Sequence, residues 1–431
     1  MTALEPDKAA DVIRLTTFER AYELLAPIAF GGAQNWERFS GASSAELRAR
    51  RGFVPETGGP TLWFHGASAG EMAAAVALDE LFRQRGFEFR SVYTATNRAG
   101  VEYAARTAPC KSIATLVPWD LGTPLSRALA RWRPRMIFLL ETELWPRMVY
   151  EARLRNIPIF CVSARVYPRD VKRYRAIRSF FAPTLRRITK IIAQDAAEYD
   201  RFRAIGAPEA NCLEGGNLKY LKAAAMGSPG AIRSELGIRG APPIIVVGSL
   251  HSDEADAVLS SLRRLAIPDL RIIVAPRHLT TVEPLIDAAR QRGWLVRRRS
   301  AALEGDWEVL IVDSIGELKR FYSIAGCAIV CGGFGMHGGH NPFEPIQAGA
   351  PAVFGLHFEH FVEESRVLTQ VTPEARVGPG EELVALLRRW LADDALRSAV
   401  LARQRAAAPD PQAIADRYIA ALAPWLSLIA A

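Results

Sequence analysis

Long apolar runs are missing from this sequence. None of its 431 residues sit in a stretch of the ~18 consecutive apolar residues that a membrane-spanning helix needs. The most apolar tail, Ile419–Ala431, is too short to span. The opening Met-Thr-Ala-Leu-Glu-Pro-Asp-Lys lacks the basic start and apolar core of a secretory signal. Cysteine is scarce. The five present (Cys110, Cys161, Cys212, Cys327, Cys331) are scattered, odd in number and without a C-x-x-C pair. That argues against a disulfide scaffold or structural zinc and for a reducing, cytoplasmic compartment. There is no low-complexity segment and no tandem repeat of roughly 20–50 residues. With 49% apolar and 23% charged residues, wholesale disorder, collagen and coiled coil are excluded. The length implies two or three domains.

Positive charge is present but uneven. The net charge is +8, yet residues 125–222 hold 20 Lys/Arg against 9 Asp/Glu, so the rest of the chain is slightly acidic. Such a basic half suits nucleic acid, an anionic membrane surface or a phosphorylated substrate, or is simply an Arg-rich solvated surface. Within it, Arg165–Arg187 interleaves cations with aromatics, as at a membrane interface. No nucleic-acid-binding signature accompanies it, and none is expected to bind.

Short apolar, mostly β-branched runs recur along the chain. They are Thr61–Phe64, Ser91–Ala95, Ile113–Val117, Met136–Leu140, Ile159–Val162 and Ile191–Ala193, then Ile244–Val247, Arg271–Ala275, Val309–Val312, Ala328–Cys331 and Ala352–Phe354. Runs apolar on both faces, separated by helical segments such as Met72–Arg85 and Ser252–Leu265, predict parallel sheets covered by helices. The expectation is an α/β protein of two Rossmann-like, doubly wound domains facing a central cleft. The predicted divisions are a helical leader over 1–50, a first Rossmann-like domain over 51–222 and a Gly/Pro-rich linker over 223–242. A second Rossmann-like domain over 243–410 and a C-terminal helix over 411–431 follow. In the leader, Phe18–Phe30 reads as a packed helix or as an amphipathic element on a membrane surface.

Ligands of such sheets bind beyond the carboxyl ends of the strands. All seven histidines (His65, His251, His278, His337, His340, His357, His360) fall beside predicted strand ends, which predicts a polar site there. His337-x-x-His340 and His357-x-x-His360 lack the His-Glu-x-x-His spacing of a zinc helix, so no metal is assigned. Gly332–Pro345 is expected to offer free N–H groups to a phosphate, ahead of a helix with Asn341 as N-cap and Pro342 at N1. Gly333-x-Gly335-x-x-Gly338 formally matches the dinucleotide fingerprint. The delayed helix and the missing acid after Ala352–Phe354 count against a nicotinamide or flavin, and no cofactor is expected. Ser68–Glu71, Ser314–Glu317 and Asn341–Glu344 fit capping boxes or a site at the sheet edge. Glu141 and Glu143 could form an acid/base or metal pair or anchor their loop, with the Arg165 region as counter-ion.

The ordered set His65-Gly-Ala-Ser-Ala-Gly-Glu71, Glu141-Thr-Glu-Leu-Trp-Pro146, Gly216-Asn-Leu-Lys219, Gly248-Ser-Leu-His251, Pro276-Arg-His278, Gly316-Glu317 and Gly338-Gly-His-Asn-Pro-Phe-Glu-Pro345 resembles one family. Over roughly residues 36–405 the chain is similar to the 3-deoxy-D-manno-octulosonic acid (Kdo) transferases of lipid A assembly. The resemblance implies a GT-B fold, CMP-Kdo as donor and inverting transfer to a phosphorylated lipid A precursor. It places the reaction at the cytoplasmic face of the inner membrane, where the want of a spanning run makes peripheral attachment to an anionic surface the expectation. It also implies Glu71 as general base and Arg277, His278, Gly316, Glu317, Asn341 and Glu344 as nucleotide contacts. Ser68, Glu141, Arg165 and Lys219 are the candidates for acceptor contact or loop support.

The chain departs from the family at Leu221, where Asp is expected, at Phe334–His337, and in lacking an apolar anchor. A relative using another CMP-activated acidic sugar, a sugar-nucleotide epimerase of the same architecture and a non-catalytic lipid binder are the competing readings.

Overall fold

A computed structural model describes residues 15–59, 61–109, 112–221, 228–301 and 306–430. The start of the leader, Cys110 and the first residues of the expected linker therefore lie outside the described residues. Two compact units result, and the first is discontinuous: it takes residues from 1–222 together with 410–431, while the second takes those from 223–409.

The first unit is built on seven parallel strands, β1 (Thr61–Gly66), β2 (Arg90–Ala95), β3 (Ser112–Leu116), β4 (Pro134–Leu140), β5 (Ile159–Ala164), β6 (Lys190–Ala193) and β7 (Cys212–Glu214). They lie in the order β3-β2-β1-β4-β5-β6-β7. The order reverses between β1 and β4, the switch point where open α/β sheets receive ligands. Register explains the core. Phe64 is opposite Tyr93 and Phe138, and Phe138 is opposite Phe160, so four rings stack across β2-β1-β4-β5 with centroids 5.1–5.4 Å apart. These rings are fully buried, and burial on this scale fixes which face of each strand turns inward.

The helix Thr17–Phe39 belongs to this unit. Thr16 and Glu19 close its first turn as a capping box. One face docks: Tyr22 donates to Asp120 at 2.9 Å, Phe30 stacks on Trp119, and Glu37 pairs with Arg50 at 2.7 Å. The other face carries Leu24, Leu25, Ile28, Trp36 and Phe39, all between 64% and 90% exposed.

The helix Pro411–Ala430 also packs on the first unit. The Tyr418 hydroxyl accepts from the Ser163 N–H at 2.8 Å and donates to the Gly216 carbonyl at 3.0 Å. Trp425 meets Phe160 edge-on.

The second unit has six parallel strands, β8 (Ile244–Leu250), β9 (Arg271–Pro276), β10 (Val296–Arg298), β11 (Val309–Ile311), β12 (Cys327–Val330) and β13 (Ala352–Phe354), in the order β10-β11-β9-β8-β12-β13. Its order reverses between β8 and β12. The helices Glu381–Ala392 and Asp394–Ala407 cover it. Among the described residues, no helix is long and apolar enough to cross a membrane.

Candidate functional site

In each unit the polar chemistry collects at the switch point. In the first, β1 delivers His65 and then turns at Ser68 into the helix Ala69–Gln84. Ser68 caps this helix by accepting from the Glu71 N–H at 3.3 Å. The Glu71 carboxylate, however, does not return to the Ser68 N–H as a capping box requires. It accepts from the Ala67 N–H at 2.6 Å and from the Ser68 hydroxyl at 3.1 Å. Gly66 permits this fold-back, since a Cβ there would lie 2.8 Å from the Glu71 Cβ.

Burial, with the charges of Glu143 and Glu141 nearby, pushes the Glu71 carboxyl up to about 7, against the lowering pull of the Ala67 N–H. A carboxyl poised near neutrality is the condition for general-base work.

The two glutamates after β4 divide the labour. Glu141 sits at φ 51°, and its carboxylate pairs with Lys219 at 2.7 Å. The expected counter-ion, Arg165, is elsewhere: its guanidinium lies over the Tyr167 ring, and only its backbone approaches Glu141. Lys219 wins because the turn after β7 carries it back over the start of the helix Ala69–Gln84, near Gly70. Glu143 lies 3.2 Å from His65 Nε2, off hydrogen-bond alignment, and accepts from the Trp145 indole at 2.7 Å. Burial works against its charge, but His65 and Trp145 hold its carboxyl below the usual value.

In the second unit the glycine loop differs from the expectation. The Gly332, Phe334 and Gly335 N–H groups do not await a phosphate. They donate to the buried carboxylate of Glu254 at 2.6, 3.1 and 3.0 Å. Glu254 also accepts from the His251 N–H at 3.1 Å, capping the helix Ser252–Arg263. A protein anion already fills that part of the nest. Glu254 was not among the expected site residues, although His251-x-x-Glu254 at a helix start was a local signal of its capping role.

The helix after the loop begins at Phe343, one residue later than expected, with Pro342 as N-cap; Asn341 Oδ1 accepts from the Phe343 N–H at 3.0 Å. Glu344 is not the return arm of a cap. Burial raises its carboxyl above the usual value, and Lys319 stands 3.9 Å away. Glu317 is not one either: it is the N-cap of the helix Leu318–Tyr322, accepts from the Ser314 hydroxyl and pairs with Arg299 at 3.0 Å and Arg320 at 3.2 Å. Gly316 precedes it at φ 93°.

Arg277 and His278 follow β9, with the Arg277 N–H bonded to the Leu250 carbonyl at 2.9 Å. The His278 ring stands 6.0 Å from that of His251, edge to face. Thus Glu71, Ser68, Glu141 and Lys219 gather in the first unit. Arg277, His278, Gly316, Glu317, Asn341 and Glu344 line strand ends of the second.

Residues 45–222 match the family described as 3-Deoxy-D-manno-octulosonic-acid transferase (kdotransferase). A 3-deoxy-D-manno-octulosonic acid transferase of Haemophilus influenzae is 30% identical over 336 residues, 75% of this chain and 78% of that protein. The corresponding protein of Bordetella pertussis is 27% identical over 402 residues, 91% and 92% of the two chains. A solved glycosyltransferase of Rickettsia africae shares the fold, with TM-score 0.54 at 9% identity over 86% of this chain and 99% of that one. So does a UDP-GlcNAc 2-epimerase of Neisseria meningitidis, at 0.53 and 12% over 85% and 100%. The two-sheet architecture is therefore that of GT-B enzymes, and the chain belongs to the 3-deoxy-D-manno-octulosonic acid transferases, a family of glycosyltransferases.

Proposed function

We propose that this protein moves Kdo from CMP-Kdo to a phosphorylated lipid A precursor, with inversion, at the cytoplasmic face of the inner membrane. The observation that carries the reading is Glu71. Its carboxylate is anchored by Ala67 and Ser68 and poised near 7 by burial and two neighbouring carboxylates. In the transfer, the acceptor hydroxyl oxygen forms a bond to the anomeric carbon as the bond from that carbon to the CMP oxygen breaks. The hydroxyl proton passes to Glu71, and the electron pair leaves with the phosphate. One base on the face opposite the leaving group is enough for inversion. Arg277 and His278 are the candidates to hold the phosphate and its charge in the departing CMP. Gly316, Glu317, Asn341 and Glu344 complete the nucleotide contacts. Lys219 restrains Glu141 beside the base, and Arg165 belongs to the acceptor side.

The apolar outer face of the helix Thr17–Phe39 supports attachment to a membrane surface. So does the basic, aromatic segment Arg165–Arg187, where Tyr167 and Ile177 are exposed. Incubation with CMP-Kdo and a tetraacyl lipid A precursor, followed by mass spectrometry of the lipid, tests the function. A product heavier by one Kdo residue or more is expected. Unchanged lipid would overturn the reading, and turnover of a nucleotide sugar without acceptor would favour the epimerase.

A further inference from the structure

Four side chains of the second unit converge beyond β8 and β12. His251 Nε2 and His340 Nε2 are 2.9 Å apart. The His337 ring lies flat on His251 with centroids 3.8 Å apart, and its Nε2 is 2.8 Å from Asp253 Oδ1. One ligand atom from each of His251, Asp253 and His337 falls within 4.8 Å of the others.

We propose that His251, Asp253 and His337, with His340 beside them, form a binding site for a late first-row divalent metal ion of the zinc class.

The donor set selects the metal. Two or three imidazoles with one carboxylate suit zinc, cobalt, nickel or copper, whereas magnesium and calcium prefer all-oxygen shells. The spacing fits as well. Ligand atoms about 2.0–2.2 Å from a tetrahedral ion stand roughly 3.2–3.6 Å from one another, so rotation of the side chains, with His337 turning out of its stack, closes the set. In the His251–His340 contact one ring donates its Nε2–H and the other accepts; a tautomer shift that moves the donor's proton to Nδ1 frees both Nε2 lone pairs for an ion.

Local sequence made room for this. A Cβ on Gly335 would lie 2.8 Å from Asp253 Oδ2, so glycine lets that carboxylate approach the loop without shifting. Glu254 pins the loop through three of its N–H groups, holds the His251 N–H as well, and is not available as a ligand. The positive charge of Arg277 opposes a cation here, and the Asp253 carboxylate offsets it at His251. The His337 and Asp253 side chains are 41% and 53% exposed, which gives an ion its entry. That exposure also lets the His337 ring turn out of its stack to present a nitrogen.

The test uses the full chain, untagged and stripped with a chelator. Zinc is titrated by calorimetry, and cobalt by the visible d–d absorption that a nitrogen and oxygen shell gives. One equivalent should bind saturably. His337→Ala and Asp253→Asn should each weaken binding at least ~10-fold, the range seen when support of a metal site is lost. His357→Ala, at a part-exposed histidine outside the cluster, should leave it unchanged. The mutated cluster residues are exposed, and matching melting temperatures would show that both variants keep their fold. Absence of one-equivalent binding, equal affinity in the His337 and Asp253 variants, or loss of binding in His357→Ala would each overturn the proposal.

Discussion

Glu254 holds Gly332 through a hydrogen bond of 2.6 Å that joins residues 78 positions apart. The same carboxylate takes three further backbone N–H groups, so the glycine loop and the start of the helix Ser252–Arg263 share one buried charge. Glutamine cannot replace it, because its amide nitrogen would face N–H donors where an acceptor is needed. Glu254→Gln should lower stability by about 2–4 kcal/mol, the cost of leaving buried donors unsatisfied. Chemical denaturation measures this, and a loss below ~0.5 kcal/mol would contradict the account.

Glu71→Gln separates chemistry from helix capping. The Gln oxygen can still accept from Ala67, and the Ser68 hydroxyl can reverse its bond, so fold and CMP binding should survive. Transfer should fall by at least ~10²-fold, because an amide cannot take the proton. Near-normal transfer in this variant would make Glu141 the next candidate base.

The pH dependence follows from the same group. A base must be unprotonated, so kcat/KM should rise with pH and reach half its plateau near pH 7. Stability moves the other way. The folded carboxyl keeps its proton above the ordinary value of 4.5, so its contribution is complete below that pH and is lost as pH rises through about 7. Glu71→Gln removes this dependence. Relative to the parent, it should gain on the order of 1–2 kcal/mol between pH 5 and pH 8, allowing for partial solvent screening. Melting curves at the two pH values give the comparison, and parallel shifts would exclude the raised carboxyl.

Arg277→Ala should weaken CMP binding, since a cationic phosphate partner is lost. Calorimetry decides it, and unchanged affinity would remove Arg277 from the nucleotide site. Glu317→Gln and Glu344→Gln should mainly raise the donor KM, because neither moves a proton.

Membrane attachment through the first unit predicts binding to anionic vesicles that weakens as salt rises. Leu25→Glu with Ile28→Glu, both on the outer face of the helix Thr17–Phe39, should reduce it further without unfolding the protein. Vesicle flotation at low and high salt is the assay. Salt-insensitive binding would point to apolar contact alone, and no binding would contradict a membrane-borne acceptor.

Eleven of the thirteen strands were legible as apolar runs. The two missed, Cys212–Glu214 and Val296–Arg298, are three-residue edge strands. Their residues are half-buried or exposed, so no apolar run marks them. Ser68 was readable as an N-cap because capping chemistry is local, whereas the turn of the Glu71 carboxylate to the Ala67 N–H was not. The Lys219–Glu141 pair was not, since its partners are 78 residues apart and meet only through the sheet order. For Glu254 only the cap at His251 was local; nothing in the glycine loop itself reveals which distant carboxylate will occupy it.

The discontinuity of the first unit bears on how the chain is made. A ribosome adds about 5–20 residues per second, so the roughly 190 residues of the second unit separate Lys222 from Asp410 by roughly 10–40 seconds of synthesis. Throughout that interval the seven strands of the first sheet exist, but the Ser163 N–H and the Gly216 carbonyl lack the Tyr418 hydroxyl, and Phe160 lacks the Trp425 ring. The half that emerges first is thus the half that finishes last. A nascent chain stalled anywhere before residue 410 presents an open seam beside β5, the kind of exposed surface that chaperones recognise.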